Sequence, residues 1–280
     1  MEKNRDHNFF ARWRKTFPYS ILFVLLIIAA IFFYFSLEKK TGSIEDGGED
    51  GKLVMGVVTD IHSGNKKHRN YGNGNELNPR DYCINLQKVF SQSKADFFVA
   101  LGDITLDGGD VEAERVLDCI EKFAPGKEFI WVMGNHDDDR TWKALGQQEK
   151  YYSVEKGDWK IIVLYDSVYE ARTEGGVAEE QLTWLEKELN TDKKVVIAQH
   201  HPLWGKKDDP NGSIVSSGVN LEKEAEILSR YSNVKYVLAG HAHKDHFCLE
   251  KGSYQFCRVK ALGLKEYEGS FMDIELTNER

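Results

Sequence analysis

Five short motifs occur in one order along the 280-residue chain: Asp60-x-His62, Gly102-Asp103, Gly134-Asn135-His136-Asp137, His200-His201-Pro202 and Gly240-His241-Ala242-His243. Together they supply carboxylate, imidazole and amide donors enough to hold two cations side by side, and two adjacent cations are a device for phosphoryl transfer. Asp60 and His62 are spaced i, i+2, as are His241 and His243, which on an extended strand sends both side chains of a pair to one side. Imidazole pairs of this kind are accepted readily by first-row divalent metals. Asp103, flanked by glycine-rich segments, has room to lend one oxygen to each of two cations. In the third motif the glycine permits a tight turn, the Asn135 oxygen is a neutral hard ligand, and His136 is left for acid chemistry. Taken singly these signals are weak, since Asp-x-His is common and Asp103 alone reads as a turn or cap aspartate. Six of the nine histidines belong to the set, which scattered core or surface histidines would not produce.

The elements that must position these residues follow from the apolar pattern. Runs at 53–59, 97–101, 129–133, 161–165, 195–198 and 234–239 read as strands buried on both faces. Helices are expected at 80–91, 111–123, 179–189 and 221–231, the first started by Asn78 before Pro79. The class is α/β. Every motif follows or closes a strand, so the candidate ligands converge at carboxyl ends, where such sheets place their sites. Segments 247–249, 254–261 and 271–276 leave no room for crossover helices and are expected to complete a second sheet as antiparallel strands.

With 41% hydrophobic and 12% aromatic residues, the chain can bury one sizeable core and carry an appendage. That appendage is N-terminal, where residues 20–36 carry no charge. Residues 17–37 as a helix would measure roughly 30 Å, enough for a bilayer core. No Ala-x-Ala-like site follows, which argues against a cleaved signal peptide. The expected organisation is a basic cytoplasmic N-terminus (1–16), a transmembrane signal anchor (17–37), a flexible acidic stalk (38–51) and a catalytic domain (52–280). Lys3, Arg5, Arg12, Arg14 and Lys15 precede the span, which predicts a single-pass cell-membrane protein with its catalytic domain extracytoplasmic. The first 16 residues hold five basic and two acidic side chains, +3, so the remainder must hold −11 to give the net −8 of the whole chain. An acidic domain argues against nucleic acid as a partner. The four cysteines, Cys83, Cys119, Cys248 and Cys257, allow three pairings. Cys248 and Cys257 flank a hairpin turn at Glu250-Lys251-Gly252-Ser253 and stand open as a disulfide or as two thiols.

As a set, the motifs resemble those of the calcineurin-like metallophosphoesterase superfamily, D-x-H, GD, GNHD or GNHE, H-x-P and GHxH, over about residues 53–276. The resemblance implies a four-layer αββα sandwich of two mixed sheets. It also implies two divalent metal ions, Mn, Fe or Zn, with Asp60, His62 and His243 on one, Asn135, His200 and His241 on the other, and Asp103 bridging. His136 would stay unligated and protonate the leaving group, with Asp137 as its partner. His200 is preferred to His201 because Pro202 stands two places after it and adjacent strand residues point to opposite faces. The implied reaction is hydrolysis of a phosphomonoester or phosphodiester substrate by a metal-bridging hydroxide. One departure is informative: residues 102–109 lack the arginine of the GD-x-x-DRG pattern of protein phosphatases, which argues against phosphoprotein substrates. Glu174-Gly175-Gly176 leading to Gln181-Leu182 and Trp184-Leu185 resembles cyclic-nucleotide-phosphodiesterase-like and purple-acid-phosphatase-like branches. Loops 63–78, with Lys66, Lys67, His68, Arg69 and Tyr71, and 203–218, with Trp204, Lys206 and Lys207, are expected to form the substrate rim. The competing readings are a catalytically silent binding module and a nuclease, the latter opposed by the −11 balance.

Overall fold

Apolar runs too short for helices and buried on both faces become the central strands, as in Phe97–Leu101, where all five residues are buried. In the computed structural model the described residues are 52–65, 69–70, 76–167, 175–205, 218–243, 246–264 and 270–277. The expected membrane anchor, stalk and basic N-terminus lie outside them, and among the described residues no helix is long and apolar enough to cross a membrane.

The order is β1 (Leu53–Val58), a two-residue pair β2 (Arg69–Asn70) and β3 (Glu76–Leu77), α1 (Tyr82–Gln92), β4 (Phe97–Leu101), α2 (Asp110–Phe123), β5 (Glu128–Val132) and α3 (Asp139–Ala144). There follow β6 (Tyr152–Lys156), β7 (Trp159–Val163), α4 (Glu179–Leu189), β8 (Lys194–Ala198), α5 (Leu221–Ser229), β9 (Val234–Ala239), β10 (Phe247–Lys251), β11 (Tyr254–Arg258) and β12 (Met272–Leu276). One mixed sheet has the order β12-β1-β4-β5 and a second β10-β11-β9-β8-β7-β6. The strands β1, β4 and β5 run parallel in the first, and β7, β8, β9 and β11 in the second.

The C-terminal strands depart from expectation. β10 and β11 do extend the second sheet, but β11 lies parallel to β9, while β10 pairs antiparallel with β11. β12 returns to the first sheet and pairs antiparallel with β1, Leu276 opposite Leu53. The physical reason is an edge: without β12, β1 would expose a row of unpaired backbone groups. β6, of sequence YSVEK with no fully buried residue, is an edge strand whose polarity hid it.

Buried side chains gather in three main clusters. One takes Met55, Val57, Val99 and Ile130 from the first sheet and Ile161, Val196 and Leu238 from the second. Another joins the first sheet to α1 and α2 through Leu86, Val89, Val116 and Ile120. The third joins the second sheet to α4 and α5 through Leu182, Leu185, Ala225 and Leu228. Phe98, Phe129 and Trp131 stack in file beneath α1, with ring centroids 5.1 and 5.0 Å apart.

All four cysteines are paired. Cys83 of α1 bonds Cys119 of α2 with Cα atoms 5.7 Å apart, and Cys248 bonds its directly opposed strand neighbour Cys257. The second bond resolves the alternative that the hairpin left open. Bridging residues 36 apart restricts the unfolded chain by about 3 to 4 kcal/mol in the loop-entropy account. Thiol titration of the denatured, unreduced protein is therefore expected to find no reactive thiol. The double substitution Cys83→Ala, Cys119→Ala is expected to lower stability by about that amount in urea unfolding.

Candidate metal centre

The five motifs do meet, and they meet just beyond strand ends rather than on strands. β1 ends at Val58, β4 at Leu101, β5 at Val132, β8 at Ala198 and β9 at Ala239, each two or three residues before its motif's first donor-bearing position. Asp60, His62, Asp103, His241 and His243 all have positive φ, between 48° and 63°. The i, i+2 pairs thus reach one place through left-handed turns, not through strand alternation. Non-glycine residues in this region carry strain and persist where the surroundings over-determine them. Here backbone bonds supply the constraint: Asp60 N to Gly102 O (3.0 Å), His62 N to Asp103 O (2.9 Å), Gly240 N to His200 O (2.9 Å), Gly263 N to Asp60 O (2.9 Å) and Ala261 N to His243 O (2.8 Å).

The donors form two adjoining sets. In the first, His243 Nε2 and His62 Nε2 stand 3.3 and 3.6 Å from Asp60 Oδ1, and 3.2 Å from each other. In the second, Asn135 Oδ1 lies 2.9 Å from His200 Nε2 and 3.0 Å from His241 Nδ1, with the two nitrogens 3.2 Å apart. Asp103 Oδ2 stands between the sets, 3.6 Å from His62 Nε2 and 3.3 Å from His200 Nε2. Its Oδ1 accepts the backbone N–H of His136 at 2.8 Å. One oxygen, not one for each side, therefore faces both sets.

Asp60 Oδ1 and Asp103 Oδ2 are buried and accept no hydrogen bond, an arrangement costly for carboxylates unless a cation compensates it. Burial alone would raise Asp60, but His243 and His62 hold it well below the usual carboxylate range. Asp103 is likewise held low against its burial by His200 and His62. Burial opposes protonation of His200, yet the Asp103 carboxylate beside it pushes it up to about 10. Burial, with the neighbouring His200 and His201, drives His241 down to about 3, so its nitrogen offers a lone pair at neutral pH. Ionised carboxylates, imidazoles and an amide oxygen converging on shared points fit divalent cations.

His136 sits beside the first set, its ring centroid 4.9 Å from that of His62. Its Nδ1 is 2.6 Å from Leu106 O, which makes Nδ1 the donor and leaves Nε2 as the atom that carries a second, transferable proton in the imidazolium form. Asp137 is not its partner. That carboxylate accepts from Gly134 N (3.0 Å), Ile104 N (3.2 Å), Thr105 N (2.9 Å) and Thr105 Oγ1 (3.1 Å), tying the second motif's loop to the third. Burial and the nearby Asp103 push it up to about 7.

His201 also differs from expectation. Because β8 stops at Ala198, alternation no longer governs positions 200 and 201, and the His201 ring lies 4.9 Å from His200 and 4.3 Å from His241. Asp166 holds it, accepting from His201 N at 2.6 Å and contacting Nδ1 at 3.1 Å. Asp166 was not singled out from sequence, although it follows β7 as the other carboxylates follow their strands. Of the expected rim, Trp204 is engaged elsewhere: its Nε1 donates to Tyr254 Oη (3.3 Å) and Lys251 caps its ring. Lys66, Lys67, His68, Tyr71, Lys206 and Lys207 lie outside the described residues.

A family model for calcineurin-like phosphoesterases matches residues 53–245, and the chain belongs to that family of metal-dependent phosphoester hydrolases. The chain is 27% identical over 201 residues to the probable glycerophosphodiester phosphodiesterase GpdQ of Arcobacter nitrofigilis, covering 69% of this chain and 72% of the relative. It is 29% identical over 167 residues to the 3',5'-cyclic adenosine monophosphate phosphodiesterase CpdA of Escherichia coli strain K12, covering 55% and 56%. The chain thus spans only a little over half of the second relative's length. A dimetal phosphatase from Danio rerio shares the fold, with a TM-score of 0.63 at 18% identity over 81% of this chain and 93% of that one.

Two outcomes follow from this geometry. A Cβ at Gly134 would lie 2.1 Å from Asp103 N and 2.3 Å from Asp103 Oδ1, so Gly134→Ala is expected to displace the shared carboxylate. Metal content by plasma emission and turnover should both fall by an order of magnitude or more. Glu224, wholly buried behind Gln199, is pushed up to about 8 from 4.5 by burial and by Asp166. The folded state then holds a proton that the unfolded state releases, so the Glu224 contribution to stability is fully present below about pH 4.5 and is lost as pH rises through about 8. The slope is at most about 1.4 kcal/mol per pH unit. Glu224→Gln should flatten that decline in denaturant unfolding measured at pH 5 and pH 8.

Proposed function

We propose that this chain is a membrane-anchored phosphodiesterase built as a four-layer αββα sandwich around a dinuclear metal centre. The observation that carries the reading is Asp103 Oδ2, a buried oxygen without a hydrogen-bond donor, set between two groups of nitrogen and oxygen donors. Asp60, His62 and His243 would hold one cation, Asn135, His200 and His241 the other, and Asp103 would contact both. Such cations supply Lewis acidity that activates water near neutral pH and offsets charge developing on the phosphoryl group.

The remaining work falls to the chain's own residues. His136, its Nδ1 fixed on the Leu106 carbonyl, in its imidazolium form presents an Nε2 proton to the departing alkoxide and is left as the neutral imidazole. The pin from His136 N to Asp103 Oδ1 couples that acid to the shared carboxylate, so donor and acid keep one register. Diesters are preferred to monoesters as substrates because both curated relatives described above are named for diester hydrolysis. An extracytoplasmic location agrees with two disulfides, which persist in oxidising compartments, and with the flanking charge of residues 17–37. The cations are expected among Mn, Fe and Zn.

The test is hydrolysis of bis(p-nitrophenyl) phosphate against p-nitrophenyl phosphate by the full-length chain, with and without chelator. Chelator-sensitive release, faster from the diester, is expected. Metal uptake with no release from either ester would instead mark a silent binding module. His136→Ala should lower turnover about 10²- to 10⁴-fold with metal content unchanged, and unchanged turnover removes His136 from the reaction. Protease protection in sealed spheroplasts should leave the domain exposed to external protease.

A further inference from the structure

The second donor set has an imidazole beside it that the proposed ligand list does not use. His201 is 3% exposed, and its Nε2 is buried without a hydrogen-bond partner. An orphaned ring nitrogen in the interior calls for a ligand. One ring nitrogen each from His200, His201 and His241 lies within 4.8 Å of the others. The His200 and His201 rings stand 4.9 Å apart at 82°, close to the 5.1 Å and 79° of both His62–His243 and His200–His241.

Three features lock this ring. Asp166 engages both its backbone N–H and its Nδ1. Gln199 Nε2 donates to its carbonyl at 2.9 Å. Gly175 leaves the space it occupies, since a Cβ there would approach His201 Cβ to 2.4 Å. With Nδ1–H committed to the carboxylate, Nε2 carries the lone pair, which is how a carboxylate prepares an imidazole for a metal. Its burial separates it from bulk substrate.

Resting on the two-cation reading, we propose that His201 Nε2 is a further donor to the cation held by Asn135, His200 and His241, with Asp166 as the residue that orients it. The second site would then offer three imidazoles, an amide oxygen and the shared Asp103 oxygen, a richer nitrogen set than the first.

The test uses Co²⁺ alone as probe, titrated into metal-stripped full-length chain and followed by visible d–d absorption. For wild type, two equivalents are expected. In His201→Phe, which keeps a planar ring, one of the two equivalents should bind at least tenfold more weakly with an altered band, and the other should be unaffected. Asp166→Asn, which keeps the imidazole but not its carboxylate, should weaken the same equivalent in the same direction and serves if the phenylalanine variant does not fold. Two equivalents with wild-type affinities and unaltered bands in a folded variant overturn the assignment of His201. Failure of wild type to bind two equivalents overturns the two-cation reading instead.

Discussion

Everything at this site depends on one buried carboxylate shared between two groups of imidazoles. Asp103 has its Oδ1 fixed by the His136 amide and its Oδ2 turned to His62 and His200. A carboxylate placed there without compensation would cost several kcal/mol. The fold offers it no hydrogen-bond donor at Oδ2 and surrounds it instead with ring nitrogens of His62 and His200. The two sheets therefore do more than enclose a core. Their parallel strands bring β1, β4 and β5 on one side, and β8 and β9 on the other, to a common edge where the motifs can face this oxygen.

Much of this was legible in the sequence because chemistry restricts the residues. Aspartate, asparagine and histidine suit the donor positions, and each follows an apolar run whose burial on both faces marks a central strand. The sites of failure are equally physical. The sequence places β12 in the second sheet and the structure in the first, because its alternation of exposed and buried residues states that it has two faces but not which edge it pairs with. β6 was missed because an edge strand of sequence YSVEK needs no apolar run. The alternation rule does not place the His201 ring on the opposite face from His200 because the strand ends at Ala198, and where a strand ends is a tertiary property. Asp137 was given to His136 by nearness in sequence, whereas its acceptors are used by backbone N–H groups from Gly134, Ile104 and Thr105.

The same residues explain why the third motif is so restricted. Gly134 must lack a side chain because Asp103 backbone fills the space. Asn135 must reach the second set, His136 must turn its ring toward the first, and Asp137 must bind the loop back on itself. Four consecutive positions thus answer to four different constraints.

Backbone strain gives the arrangement its last property. Five donor residues adopt positive φ, at about 1 to 3 kcal/mol each, and that energy must come from packing elsewhere: the three apolar clusters and the helix-to-helix disulfide. In return, the donors hold their directions through backbone hydrogen bonds that do not involve a cation. A donor set built on relaxed strands could open as charge accumulated on its carboxylates. One held in left-handed turns between two close-packed sheets has little room to do so, and it meets an incoming cation already in place. Rigid packing is therefore a condition of the chemistry here, because the carboxylates can remain so near one another only while the surrounding backbone prevents their separation.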